Sequence, residues 1–263
     1  MSPTLAAVPS LLATVGDALA RSGIDLAGLG LAWARAVPAV AIVPAFGLRA
    51  LPGPARAVLA LGLAATVFPA LAPVAASGQP WPLLALREMA FGLPVAVAAA
   101  VPLWAATMAG GVFDALRGGS QGGAQAPTVE QGATPMGVPL SVLACAIFLA
   151  TGGPSKVALA LAGPAAHPDL AAASGRLAVL AAVSDISAGI TLAVALAGPL
   201  LAASVVIEVA GALIARAASP AQVHLLLAPL RALTLLFVLA FSFDRMATFL
   251  ASAVEHAPMH LGP

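Results

Sequence analysis

The chain has 263 residues, 61% of them hydrophobic and 8% charged, and its 11 Lys and Arg against 10 Asp and Glu leave a net charge of +1. A water-soluble globule needs more polar surface than this, and a nucleic-acid binder needs a basic stripe, so both classes are excluded. What remains is a multi-pass membrane protein, with room for several crossings at about 20 residues each.

Residues 1–28 read as an amphipathic segment lying on a membrane or a partner. The first charges are Asp17, Arg21 and Asp25, with no basic region ahead of them, so this is not the pattern of a cleavable signal. Six apolar blocks follow, at 29–48, 57–75, 89–112, 138–152, 177–215 and 223–251. The fourth is short for a full crossing. The fifth is too long for one, and Gly198-Pro199 offers a break within it. Loops at Arg49 to Arg56, Ser77 to Glu88 and Ala218 to Gln222 are brief, which favours antiparallel helical hairpins. A polar tail, 252–263, closes the chain. The predicted fold is all-α: one membrane domain over 1–263, built of kinked helical hairpins, with none of the internal repetition of inverted-repeat transporters.

Proline recurs inside the blocks, at Pro38, Pro44, Pro69, Pro94, Pro102, Pro199 and Pro229. Each frees a carbonyl that hydrocarbon cannot satisfy. Either a subunit packed among other helices or the ordinary tolerance of membrane helices for proline accounts for this. Trp33, Trp81 and Trp104 are the only tryptophans for an aromatic belt, and tyrosine is absent. Lone Cys145 lies in an apolar run and reads as a small core residue. Positive charge does not orient the chain. Arg21, Arg87, Lys156 and Arg176 fall on one side, and Arg49, Arg56, Arg117 and Arg216 on the other.

Between the third and fourth blocks lies a charged, glycine-rich stretch, Val112 to Gly123, within a connection spanning 110–137. Asp114 and Arg117 are spaced to share one helix face and to pair. Gly118, Gly119, Gly122 and Gly123 then give the backbone freedom and stop the helix. An ordinary polar loop is one reading. The length, about 25 residues, favours a working part over a simple turn.

Arg35, Asp185, Glu208, Arg231, Asp244 and Arg245 lie within or at the edge of apolar blocks. A charge at the centre of a membrane helix costs about 2.5 to 3.5 kcal/mol on insertion scales, so each needs a partner, a cavity or the interface. Snorkelling, structural pairing between helices, and a proton relay through Glu208 or Asp185 all fit, and the sequence pairs none of them uniquely. No phosphate loop, zinc-protease motif or hydrolase nucleophile is present, and His167, His224, His256 and His260 are scattered. No enzyme chemistry, cofactor or metal is expected.

Several short motifs stand in a defined order. Arg35 is followed by Pro44, Leu51-Pro52-Gly53, Arg56 and Phe68-Pro69. Arg87-Glu88-Met89-Ala90-Phe91-Gly92 precedes Ala109-Gly110-Gly111, Phe113-Asp114 and Arg117-Gly118. Thr134-Pro135-Met136-Gly137 and Phe148 to Gly153 come next. Ala197-Gly198-Pro199-Leu200-Leu201, Glu208, Gly211 to Ala217 and Ala228-Pro229-Leu230-Arg231 complete the series. In order and spacing these resemble the type III secretion export-gate family, called SctT or YscT in injectisomes and FliR in flagella. The Asp-x-x-Arg-Gly turn is more like the injectisome branch.

The resemblance implies an inner-membrane export-gate subunit, part of a pore that passes unfolded polypeptides, assembled with small hydrophobic SctR/FliP-like and SctS/FliQ-like subunits. It also implies a large SctV/FlhA-like subunit and a SctU/FlhB-like switch subunit as partners. Phe113, Asp114, Arg117, Gly118, Gly119, Gly122 and Gly123 would then form the plug of the closed pore. Arg35, Glu208, Arg216 and Arg231 would serve intramembrane pairing and assembly. The alternative from another class is a small-solute permease or secondary transporter, with an autonomous binding site at Arg35 or Glu208.

Overall fold

The computed structural model describes residues 25–46, 52–71, 80–116, 134–163, 168–217 and 223–256. Its regular elements there are α-helices: α1 (Leu26–Ile42), α2 (Gly53–Leu71), α3 (Trp81–Leu116), α4 (Gly137–Ala150), α5 (Gly153–Ala162), α6 (Pro168–Ala217) and α7 (Val223–His256). The side chain of Asp25 starts α1 by accepting the Ala27 N–H at 3.0 Å, an N-cap that satisfies one of the donors a helix start leaves open.

Among the described residues, three helical stretches are long and apolar enough to cross a membrane: Trp81–Leu116, Ala182–Ala217 and Pro229–His256. The chain is therefore an all-helical, multi-pass membrane protein. The three stretches are not equivalent. In α3, 67% of the most apolar window is buried by the rest of the chain, against 28% in each of the other two. α3 is thus the axis, packed against α1, α4, α5, α6 and α7. Helices α6 and α7 present broad apolar faces outward, with Val206, Leu213, Phe237 and Phe241 all well exposed.

Several boundaries depart from the sequence reading. The fourth apolar block, 138–152, is only half of its element. α4 runs into α5 through a 66° bend at Thr151-Gly152, and together they are as apolar as one broken span. Gly152 sits at φ 73°, a left-handed conformation that admits glycine readily, and so it lets the chain turn at the bend. The break expected at Gly198-Pro199 does not occur, since α6 continues through Pro199 to Ala217. Losing one backbone bond is tolerable in a long helix whose other bonds persist. The loop expected at Ser77 to Glu88 is helical from Trp81, so Arg87 and Glu88 lie inside α3.

At the chain's start, α1 already includes 26–28 of the expected amphipathic segment, and residues 1–24 lie outside the described residues. At its end, the expected polar tail from 252 is helical as far as His256. Two of the tryptophans available for an aromatic belt also tie helices together. Trp33 Nε1 donates to the Ala57 carbonyl at 3.3 Å, and Trp81 Nε1 donates to the Ala27 carbonyl at 3.4 Å.

The core is built mainly of alanine, valine and leucine, so helix axes approach closely. Where α1 crosses α3, the Arg35 backbone carbonyl occupies the space a Cβ on Gly92 would need. That approach lets the Arg35 guanidinium reach Glu88. Nε and Nη2 each lie 2.7 Å from Glu88 Oε2, and Nη1 donates to the Leu161 carbonyl at 2.7 Å, near the C-terminal end of α5. Arg35 is 2% exposed and Glu88 1%. The Phe91 ring packs 5.6 Å from the guanidinium carbon. One cation thus joins α1, α3 and α5.

Breaking this junction from either side leaves a buried charge with no counter-charge. Arg35→Ala and Glu88→Ala are each expected to lose about 3 to 5 kcal/mol, and replacing both by leucine to lose less than the sum. Thermal unfolding of the detergent-solubilised protein measures it. Additive losses would mean that the two side chains act independently.

Candidate functional site

The glycine-rich stretch begins where α3 ends. α3 stays helical through Leu116, so 110–116 of the expected connection are helix, and residues 117–133 lie outside the described residues. Arg117, Gly118, Gly119, Gly122 and Gly123 fall among those, and the expected Asp114–Arg117 pair with them. Phe113 and Asp114 occupy the last turn of α3, and both are fully buried. Phe113 belongs to the central apolar cluster.

The chain returns beside its point of departure. Asp114 Oδ2 accepts the Met136 N–H at 2.6 Å, and Thr134 Oγ1 accepts the Gly137 N–H at 3.1 Å. These are two of the open donors at the start of α4, and a carboxylate there also suits the positive end of the helix dipole. Behind them the two backbones touch. A Cβ on Gly110 would lie 2.5 Å from Gly137 Cα and 2.7 Å from the Met136 carbonyl oxygen. Leu116 and Thr134, the described residues on either side of 117–133, are therefore joined to one narrow, buried base. Sequence spacing pointed to Asp114 through Arg117, which lies outside the described residues; among the described residues the fold adds a backbone N–H 22 positions further on.

The other site residues lie elsewhere. Arg35 is sealed in the junction with Glu88, a residue that did not stand out as an intramembrane charge because the sequence placed it in a loop. The signal that could have found it was the Arg87-Glu88 doublet running directly into an apolar block. Glu208 and Arg231 meet across α6 and α7, Oε1 to Nη2 at 2.7 Å, with the carboxylate side chain 58% exposed. Arg216 is exposed in the last turn of α6, where a cation suits the helix C-terminus. Asp244 and Arg245 are exposed on α7. Among the described residues, no three His, Cys, Asp or Glu side chains gather closely enough to hold a metal ion. Among the described residues the arrangement offers anchors and charge pairs.

Comparison with known proteins bears on what such an arrangement serves. The sequence profile of the family described as bacterial export proteins, family 1, matches residues 26–257. The secretion system apparatus protein SsaT of Salmonella typhimurium (strain LT2) is 37% identical over 73 residues, which is 28% of this chain. The match also spans 28% of that relative's own length.

Two substitutions test the base. Asp114→Ala strands the Met136 N–H and is expected to cost about 1 to 3 kcal/mol, whereas Asp114→Asn, which keeps an acceptor, loses less. Gly110→Ala drives a methyl into the α4 backbone and is expected to cost a similar amount, about 1 to 3 kcal/mol. In both alanine variants trypsin should cut faster after Arg117. Unchanged cleavage and melting would show that the base does not hold the segment.

Proposed function

From its membership of the bacterial export proteins, family 1, to which the chain belongs along residues 26–257, we propose that it is a subunit of the export gate of a type III secretion system. In this reading it sits in the bacterial inner membrane and forms part of a pore for unfolded polypeptides, with no chemistry of its own. The reach of the family match carries the reading: it begins with α1 and extends just past α7, so every described helix lies within it. The name of the Salmonella relative, a secretion system apparatus protein, supports the same system.

The partners proposed are small hydrophobic subunits of the SctR/FliP and SctS/FliQ kinds, a large SctV/FlhA-like subunit and a SctU/FlhB-like switch subunit. Energy would come from a separate ATPase and the proton-motive force. Within the subunit, Phe113 and Asp114 form the fixed base of a plug whose movable part is Arg117, Gly118, Gly119, Gly122 and Gly123. The burial of the first two and the backbone freedom of the glycines support this division. Arg35 acts inside the subunit, because its charge is consumed by Glu88 and Leu161. Glu208, Arg216 and Arg231, all reachable from outside, are the residues assigned to assembly.

The reading is tested by solubilising host membranes in mild detergent and purifying the tagged chain. The two small hydrophobic export subunits should come with it in stable stoichiometry, and recovery as a lone monomer or homodimer overturns the proposal. Reversing charge with Arg117→Glu should raise ion leakage through the resting assembly. A leak equal to that of the unaltered protein would remove the plug assignment.

A further inference from the structure

A cleft of 380 Å³ lies between α3 and α6, away from the α6–α7 ion pair. α6 comes against α3 at Gly189, where a Cβ would strike the Val101 side chain, and these two residues are buried. Outward from that contact stand Trp104 and Thr107, both half-buried, and then Met108, Ile186 and Ile190, all exposed. The lining is almost wholly apolar, and both walls belong to stretches able to cross a membrane, Trp81–Leu116 and Ala182–Ala217.

Size and chemistry decide what can fill such a space. Ordered water takes two to four polar partners. The Thr107 hydroxyl already donates to the Leu103 carbonyl at 3.1 Å, so the lining offers water too little. A transmembrane helix is about 10–12 Å across and rises 5.4 Å per turn, so a single turn occupies about 420–610 Å³, more than the whole cleft. Left empty, the walls would forfeit their dispersion contacts. An acyl chain is narrow, unbranched and flexible, and the bilayer supplies it at the mouth.

Trp104 adds a polar preference. Trp33 and Trp81 give their indole N–H groups to backbone carbonyls, whereas Trp104 makes no hydrogen bond among the described residues. A tryptophan N–H withdrawn from water ordinarily finds an acceptor, and the ester end of a lipid chain carries one.

We propose that the α3–α6 cleft is a binding site for one acyl chain of a membrane phospholipid, which lies against Val101 and Gly189 while its ester carbonyl accepts the Trp104 N–H. The chain passes from one hydrocarbon medium to another, so the gain comes from fitted contacts and this one hydrogen bond. The site does not depend on the function proposed above.

The test uses the full chain, with whatever subunits co-purify, in phosphatidylethanolamine vesicles doped with an analogue carrying a diazirine on one acyl chain. After irradiation, peptide mass spectrometry should find lipid adducts on Val101 or Trp104, side chains that lipid merely bathing the exposed faces does not reach. Ile190→Phe and Ile186→Phe each enlarge an exposed side chain at the mouth and should leave the melting temperature unchanged. Each should cut these adducts roughly tenfold, as expected where a ring overpacks a filled site. A diether analogue keeps the chains but lacks the ester carbonyls, and should label Trp104 less than the diester does.

Adducts confined to open positions such as Phe241, with none on Val101 or Trp104, overturn the proposal. So does cleft labelling unchanged in both phenylalanine variants. Equal labelling by diester and diether removes Trp104 as the anchor.

Discussion

A single buried ion pair sets the geometry on which the rest of this subunit depends. Arg35 reaches from α1 across a glycine contact to Glu88 on α3, and its remaining donor holds the last turn of α5. Two ions removed from solvent attract strongly but are expensive to desolvate, so the pair persists only where hydrogen bonds and close packing fix it. Here those conditions are met by the small residues of α1 and α3, which bring backbones near enough for a guanidinium to span three helices. The bent pair α4–α5, already packed into the core and joined to α3 by the Asp114–Met136 hydrogen bond, gains from this cation a polar tie at the end of α5.

Around that junction the chain divides by exposure. α3 is buried along most of its apolar length, and α4 departs from its end over a glycine–glycine contact and an Asp114-capped first turn. In this inner set the buried side chains of Arg35, Glu88 and Asp114 all find partners within the chain. α6 and α7 form an outer pair with one side in the core, at Leu196, Leu200, Leu235 and Leu250, and another whose apolar side chains, Val206, Leu213, Phe237 and Phe241 among them, have no covering in the monomer. Its charges, Glu208 and Arg231 foremost, are paired only in part. A subunit with a satisfied interior and an unsatisfied flank is suited to an assembly, where neighbouring helices complete the outer surface. The end of α3 belongs to the inner side of this division: Phe113 lies in the apolar core and Asp114 accepts the Met136 N–H at the start of α4.

Composition and its arrangement in long unbroken apolar blocks pointed to a helical membrane protein, because a continuous apolar run of that length satisfies its own backbone in hydrocarbon as a helix. The ordered motifs, from Arg35 through Arg231, were enough to carry the family resemblance. The sequence also marked Arg35, Glu208 and Arg231 as charges in need of partners, since isolated charges in apolar blocks are costly wherever they fold. It could not pair them. Arg35 and Glu88 lie 53 positions apart, Glu208 and Arg231 lie 23 apart, and the helices between them must pack before either distance closes. Nor could it show that α6 runs through Pro199, or that α4 and α5 are one bent element. Those outcomes rest on neighbouring helices and on one left-handed glycine, and local propensity does not encode them. Only the tertiary structure decided which charges were sealed inside and which were left facing outward.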